Sequence, residues 1–197
     1  KQQRGESNEA TAAGHGILKR GGNAFDAAVA VAAVLAVVEP YASGLGGGSF
    51  WLLHRARDGH QVMVDARETA PGGVTQALYL DKTGKPVRGA TTQGGTAAGI
   101  PGVPAALVHV AERYGTLPLA VTLAPAIRHA RDGFKVDERY ARIAGLRERY
   151  LQNGTGTSRI FLEADRTPRP GWLLRQPELA ETLERLAKEG RNGFYAG

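Results

Sequence analysis

From Ala27 to Val38 every residue is Ala, Val or Leu, and Glu39-Pro40 ends the run. No part of that stretch can face water on a helix, yet it is shorter than the roughly 20 apolar residues that span a bilayer. It therefore predicts a helix buried all round in a core, with its alanines letting neighbouring backbones approach closely. Asn23 is a good cap for this helix, and Asp26 falls in the first turn, where the helix dipole favours an anion. A helix before it runs from about Asn8 to Arg20, with Ser7 or Asn8 as cap, Lys19 and Arg20 in its last turn and Gly21 at its end.

After the buried helix comes Ser43-Gly44-Leu45-Gly46-Gly47-Gly48-Ser49, which enters the apolar run Phe50 to His54. Asp58-Gly59 then separates that run from a second one containing Val62 and Val64, a strong hairpin signal. The second strand is expected to run out through Asp65-Ala66-Arg67-Glu68 and stop at Pro71-Gly72-Gly73. Leu80 to Pro86 reads as turn, and Gly94-Gly95 and Gly99-Ile100-Pro101-Gly102 punctuate a short extended segment. Pro104 starts a helix through Tyr114 that Gly115 closes. Leu119 to Arg131 predicts another, with a break at Pro125, followed by a charged surface helix over Val136–Tyr150. Asn153 to Ser158 reads as loop, and Glu178 to Glu189 as an amphipathic helix capped by Gly190. Without a repeat or a low-complexity linker, residues 1–197 read as one domain segment.

Composition narrows the classes. With 42% hydrophobic and 22% charged residues the chain is globular rather than disordered. Its net charge of +6 comes from scattered Lys and Arg without interleaved aromatics, which speaks against nucleic acid and for a mild bias toward anionic ligands. The absence of cysteine excludes disulfides, thiolate metal sites and a cysteine nucleophile. Lys1 to Glu6 is polar, so no signal peptide is expected in the chain as it stands.

Few segments could carry chemistry. A phosphate-binding glycine loop leaves a strand and enters a helix, whereas this one leaves a helix and enters a strand. Its glycines fit close backbone packing better, with substrate-facing amides as a further option. Arg67, at a strand end beside Glu68, suits bidentate binding of a carboxylate. From local pattern alone the simpler account is that it pairs with Glu68 or Asp65, or is solvated. The 5 histidines have no metal-ligand spacing, and His109 on its apolar helix reads as a core residue rather than a base. No G-x-S-x-G elbow accompanies Ser43 or Ser49.

Three segments in fixed order give a resemblance. Gly21 to Ala30 resembles the GGNAxDAAVA segment of γ-glutamyltranspeptidases. Val38-Glu39-Pro40 through Ser43 to Phe50 resembles their VxP…SGxGGGGF segment, with Ser49 in place of the fourth glycine. Asp65-Ala66-Arg67-Glu68-Thr69-Ala70-Pro71 resembles their RExAP segment. Weaker echoes occur at Gly99 to Gly102, Tyr114 to Pro118, Ala124 to Ile127 and Gly193 to Gly197.

The resemblance implies an α/β fold of the α+β type. It is that of an N-terminal nucleophile hydrolase αββα sandwich, of which this chain would be the front part. It further implies a self-cleaving precursor whose small subunit begins with the nucleophilic threonine. That threonine's own amino group would serve as base and backbone amides as oxyanion donors, with no metal or organic cofactor. The substrate implied is a small γ-glutamyl compound, glutathione being the usual donor. Arg67 matches the arginine that binds the substrate α-carboxylate and Glu68 the glutamate beside it, which would position Arg67 rather than react. The loop Gly44 to Gly48 would be structural.

No catalytic residue is assigned within the chain. Thr91-Thr92 is followed by Gln93-Gly94 instead of the Thr-Thr-His-type start, so the nucleophile belongs to a partner segment. The family's large subunit extends past the position of Gly197 and has an apolar strand where Lys1 to Glu6 is polar, so the chain reads as incomplete or as one of several fragments. An acylase or poly-γ-glutamate hydrolase of the same fold, or a non-catalytic anion-binding module, are the alternatives. Family habit places such enzymes in the periplasm or outside the cell, and no membrane span is expected.

Overall fold

A computed structural model describes residues 8–92 and 94–196. Lys1 to Ser7, Gln93 and Gly197 lie outside them, and with them the polar start, the Ser7 cap and the last residue of the C-terminal echo. The fold class is α/β. In chain order the elements are α1 (Asn8–Lys19), α2 (Ala24–Val38), β1 (Ser49–Arg55), β2 (His60–Ala66), short 3-10 turns at Gln76–Tyr79 and Gly95–Ala97, α3 (Val103–Tyr114) and α4 (Leu119–Asp132). Then follow β3 (Phe134–Lys135), α5 (Glu138–Gln152), α6 (Thr155–Phe161), β4 (Leu173–Leu174), α7 (Pro177–Glu189) and α8 (Asn192–Tyr195). They gather into a helical unit, residues 8–44 and 104–196, and a hairpin unit, residues 45–103.

In the helical unit no residue from Phe25 to Val38 is exposed, as the composition of α2 requires. Each fully buried valine among them, Val29, Val34 and Val37, contributes about 1.5–3 kcal/mol. Helix α2 packs on α1 and α4, and α4 packs on α7. Gly14 of α1 lets α2 approach closely, since a Cβ there would stand 2.8 Å from the Val31 side chain. The N-terminus of α2 carries a capping box. The Asn23 side chain accepts from the Phe25 and Asp26 N–H groups at 2.8 and 3.0 Å, and Asp26 accepts from the Asn23 N–H at 2.9 Å. At the other end the buried Gln176 side chain donates to the Val37 carbonyl at 2.9 Å, satisfying one of the acceptors a helix C-terminus leaves open.

Four expectations are corrected here. Helix α4 runs on through Pro125, which is buried with Leu123, Ala126 and Ala130. A proline inside a helix costs about 3 kcal/mol, and packing of α4 against α2 and α7 offsets it. The charged helix starts at Glu138 rather than Val136, because the Val136 N–H donates to the Trp172 carbonyl at 2.9 Å and Asp137 is the cap. The segment expected as loop is irregular only at Asn153-Gly154 and folds from Thr155 as α6: Thr157 Oγ1 donates to the Leu151 carbonyl at 2.7 Å, and the buried Tyr140 hydroxyl to the Phe161 carbonyl at 2.9 Å. His109 is exposed, not core, with its ring edge-on to Tyr114.

The hairpin unit is built on β1 and β2, antiparallel from Ser49 opposite Ala66 to Arg55 opposite His60. Gly59 turns the chain at φ +70°, as Asp58-Gly59 predicted. Asp58 closes the turn by accepting from Arg55 Nε at 3.0 Å and from the His60 N–H at 3.2 Å; these two contacts, Arg55 first, lower its pKa to about 2. Strand β2 stops at Ala66, two residues before the expected end. The Arg67 N–H donates back to the Asp65 carboxylate at 2.9 Å, and the pairing moves to a bridge between Thr69 and Ile100.

Candidate functional site

Arg67 and Glu68 leave the end of β2 inside a frame of glycines. On one side a Cβ at Gly48 would stand 2.5 Å from Glu68 Oε2 and 2.9 Å from both the Ala66 carbonyl oxygen and the Arg67 Cα. On the other, a Cβ at Gly99 would meet Glu68 Cβ at 3.0 Å, and one at Gly102 would collide with the Ala66 carbonyl. The two walls are tied together, because the Gly102 and Val103 N–H groups donate to the Gly47 carbonyl at 3.0 and 3.1 Å. Thr69 and Ile100 exchange N–H···O bonds of 3.1 and 2.8 Å. Backbone pressed on backbone from both faces leaves residues 66–69 little room to move, and only glycine fits at Gly48 and Gly102.

Within this frame Arg67 Nε donates to Glu68 Oε2 at 3.2 Å, and the guanidinium carbon lies 5.9 Å from the centre of the Phe50 ring. The Arg67 side chain is 64% exposed. Its Nε edge is thus engaged, while the two terminal nitrogens make no hydrogen bond among the described residues. A guanidinium oriented in this way presents a flat fork of donors to a carboxylate. Glu68 is held below the usual carboxylate range, first by its own backbone N–H, then by the hydrogen bond from Arg67; desolvation opposes them, and the Arg67 charge and the Gly48 N–H add smaller lowering contributions. It therefore stays ionised at neutral pH and keeps its hold on Arg67.

Arg67 and Glu68 are thus adjacent and in contact, as the local reading allowed. The second glycine wall was missed as a site element. Its signal was Gly99 and Gly102 on either side of Ile100-Pro101, a spacing that marks a backbone needing close approach at two points. Ser49 accepts from Trp51 Nε1 at 2.9 Å within β1. Thr91 and Thr92 lie in a turn, with Thr92 Oγ1 donating to the Gly89 carbonyl at 3.3 Å. Among the described residues no group of His, Cys, Asp and Glu could hold a metal ion, and no helix is long and apolar enough to cross a membrane.

Comparison with known proteins gives the family of the chain. The family model described as Gamma-glutamyltranspeptidase matches residues 10–197. The glutathione hydrolase proenzyme of Escherichia coli is 39% identical over 189 residues, covering 95% of this chain and 32% of that protein. Among solved structures, the γ-glutamyltranspeptidase of Helicobacter pylori superposes with a TM-score of 0.92 at 35% identity, over 97% of this chain and 55% of the other. The cephalosporin acylase of Bacillus halodurans gives 0.82 at 32% identity, over 95% and 35%. The chain spans about a third of the length of the curated relatives it matches. With the match running from α1 through the glycine frame to the last helix, the chain belongs to the γ-glutamyltranspeptidase family.

Proposed function

We propose that this chain is the carboxylate-holding part of a γ-glutamyl transferase or hydrolase, with Arg67 binding the α-carboxylate of a γ-glutamyl donor such as glutathione. The observation that carries this is the Arg67 guanidinium, fixed at Nε by Glu68 and open at its terminal nitrogens. The nucleophile is a threonine at the start of a segment outside this chain. In this reading its hydroxyl attacks the γ-glutamyl amide carbonyl, and its α-amino group takes the proton and passes it to the amine that departs as the C–N bond breaks; the acyl group then goes to water or an acceptor amine. Proenzyme names among the relatives support a precursor cut into two chains. Glu68 acts as a positioning residue, holding Arg67 in register. The same proposal includes export to the periplasm or medium, which cell fractionation would check.

The test is Arg67→Ala in the assembled enzyme. Loss of the charged partner of a desolvated bound carboxylate costs about 2–5 kcal/mol, and it should appear as raised KM with kcat largely kept, because the contact exists in ground and transition states alike. Unchanged kcat/KM on a γ-glutamyl anilide would reject the assignment. Likeness to the cephalosporin acylase favours one second reading, an acylase that uses Arg67 for a side-chain carboxylate. Faster turnover of a glutaryl amide than of the γ-glutamyl anilide would select it.

A further inference from the structure

A second basic site lies wholly in the helical unit. Helices α1 and α4 both pack on α2, and between them opens a cleft of about 160 Å³. Two adjacent rows along α1, Glu9–Ala13–Ile17 and Ala12–Gly16, the second continued by Arg20 just past the helix end, form one wall, and Pro125, Arg128 and His129 of α4 form the other. The small residues make the space: a Cβ at Gly16 would meet nothing within 4 Å. A water molecule takes about 30 Å³, so the cleft has room for a solute of about five heavy atoms.

Its charges are unbalanced. Neither Arg20 nor Arg128 pairs with a carboxylate among the described residues, whereas Arg131, on the next turn of α4, pairs with Glu184. The lining holds two guanidinium groups against the single carboxylate of Glu9. His129 is half-buried; burial lowers its pKa, Arg128 adds to this, and Glu9 and Asp132 oppose it.

We propose that this cleft binds a small oxyanion, carboxylate or phosphate, through Arg20 and Arg128 with the His129 ring as a further donor. Forked guanidinium donors match both anions. The apolar floor of Ile17 and Pro125 limits competition from water.

The experiment is calorimetric titration of the full-length protein carrying Arg67→Ala, so that the site proposed above does not contribute, with sodium phosphate and separately with sodium acetate. One saturable site for either anion is expected, and which of the two binds identifies the oxyanion. Replacing both arginines, Arg20→Gln with Arg128→Gln, should weaken it at least about tenfold. Gly16→Met should abolish it by filling the cleft, without lowering the melting temperature, since methionine is the better helix former. No saturable binding of either anion, or undiminished binding in either variant, overturns the proposal.

Discussion

Gly48 lies so close to Glu68 that a Cβ on it would stand 2.5 Å from Oε2, with the Ala66 carbonyl oxygen and the Arg67 Cα both at 2.9 Å. Two of those three neighbours are backbone and cannot swing aside. Gly48→Ala should therefore destabilise the protein by about 1–3 kcal/mol through overpacking, and should raise KM by displacing Arg67. Gly46→Ala is the control, since nothing lies within 4 Å of a Cβ there. Chemical denaturation of both variants checks this; equal midpoints would mean the loop is looser than the geometry indicates.

Arg67→Lys keeps the charge but loses the fork that reaches Glu68 and a carboxylate together. We expect a KM increase close to that of Arg67→Ala. Glu68→Gln should produce a smaller rise with kcat retained, because the residue orients Arg67 without touching reacting atoms. A kcat loss of more than about tenfold in Glu68→Gln would instead put Glu68 in the chemistry.

Asp26 is fully buried and accepts from the Thr116 hydroxyl at 2.8 Å and from the Thr116 and Leu117 N–H groups at 3.0 and 3.2 Å, besides its capping bond. Burial raises its pKa, but the bonds from Asn23, Thr116 and Leu117 outweigh it and the net shift is downward from 3.8. A depressed carboxylate stabilises the fold fully above its unfolded pKa, and that contribution disappears as pH falls through the folded value. Asp26→Ala should cost about 3 kcal/mol or more at pH 7, several charge-assisted bonds being lost together. In urea titrations the gap between wild type and variant should narrow only below about pH 4. A gap that closes already at pH 5 would assign the effect to another group.

One face of the hairpin exposes Phe50, Leu52 and Met63, Leu52 being 84% exposed. A two-stranded sheet with open edges and an apolar face favours association. The isolated chain should self-associate as its concentration rises, and Leu52→Lys should shift it toward monomer in sedimentation velocity. Identical distributions would show that this face does not drive association.

What the sequence determined by itself follows from local rules. The Ala-Val run from Ala27 to Val38 has no polar face and must be buried. Asn23 and Asp26 stand at the spacing of a capping box, Asp58-Gly59 suits a tight hairpin turn, and Gly190 suits a helix end, adopting φ +58°. The fixed order of three segments, Gly21 to Ala30, Val38 to Phe50 and Asp65 to Pro71, carried the family, and with it the attention to Arg67 and Glu68. Only the tertiary structure decided the rest. Pro125 stays helical because two neighbouring helices hold α4, and α6 forms in a stretch rich in Gly, Thr and Ser because Thr157 and Tyr140 bond its carbonyl groups and those beside it. The approach of Gly99 and Gly102 to residues 66–69 joins segments thirty or more positions apart. Periodicity and propensity act over a few residues, whereas these contacts depend on which distant backbones meet, and that is settled only when the chain has folded.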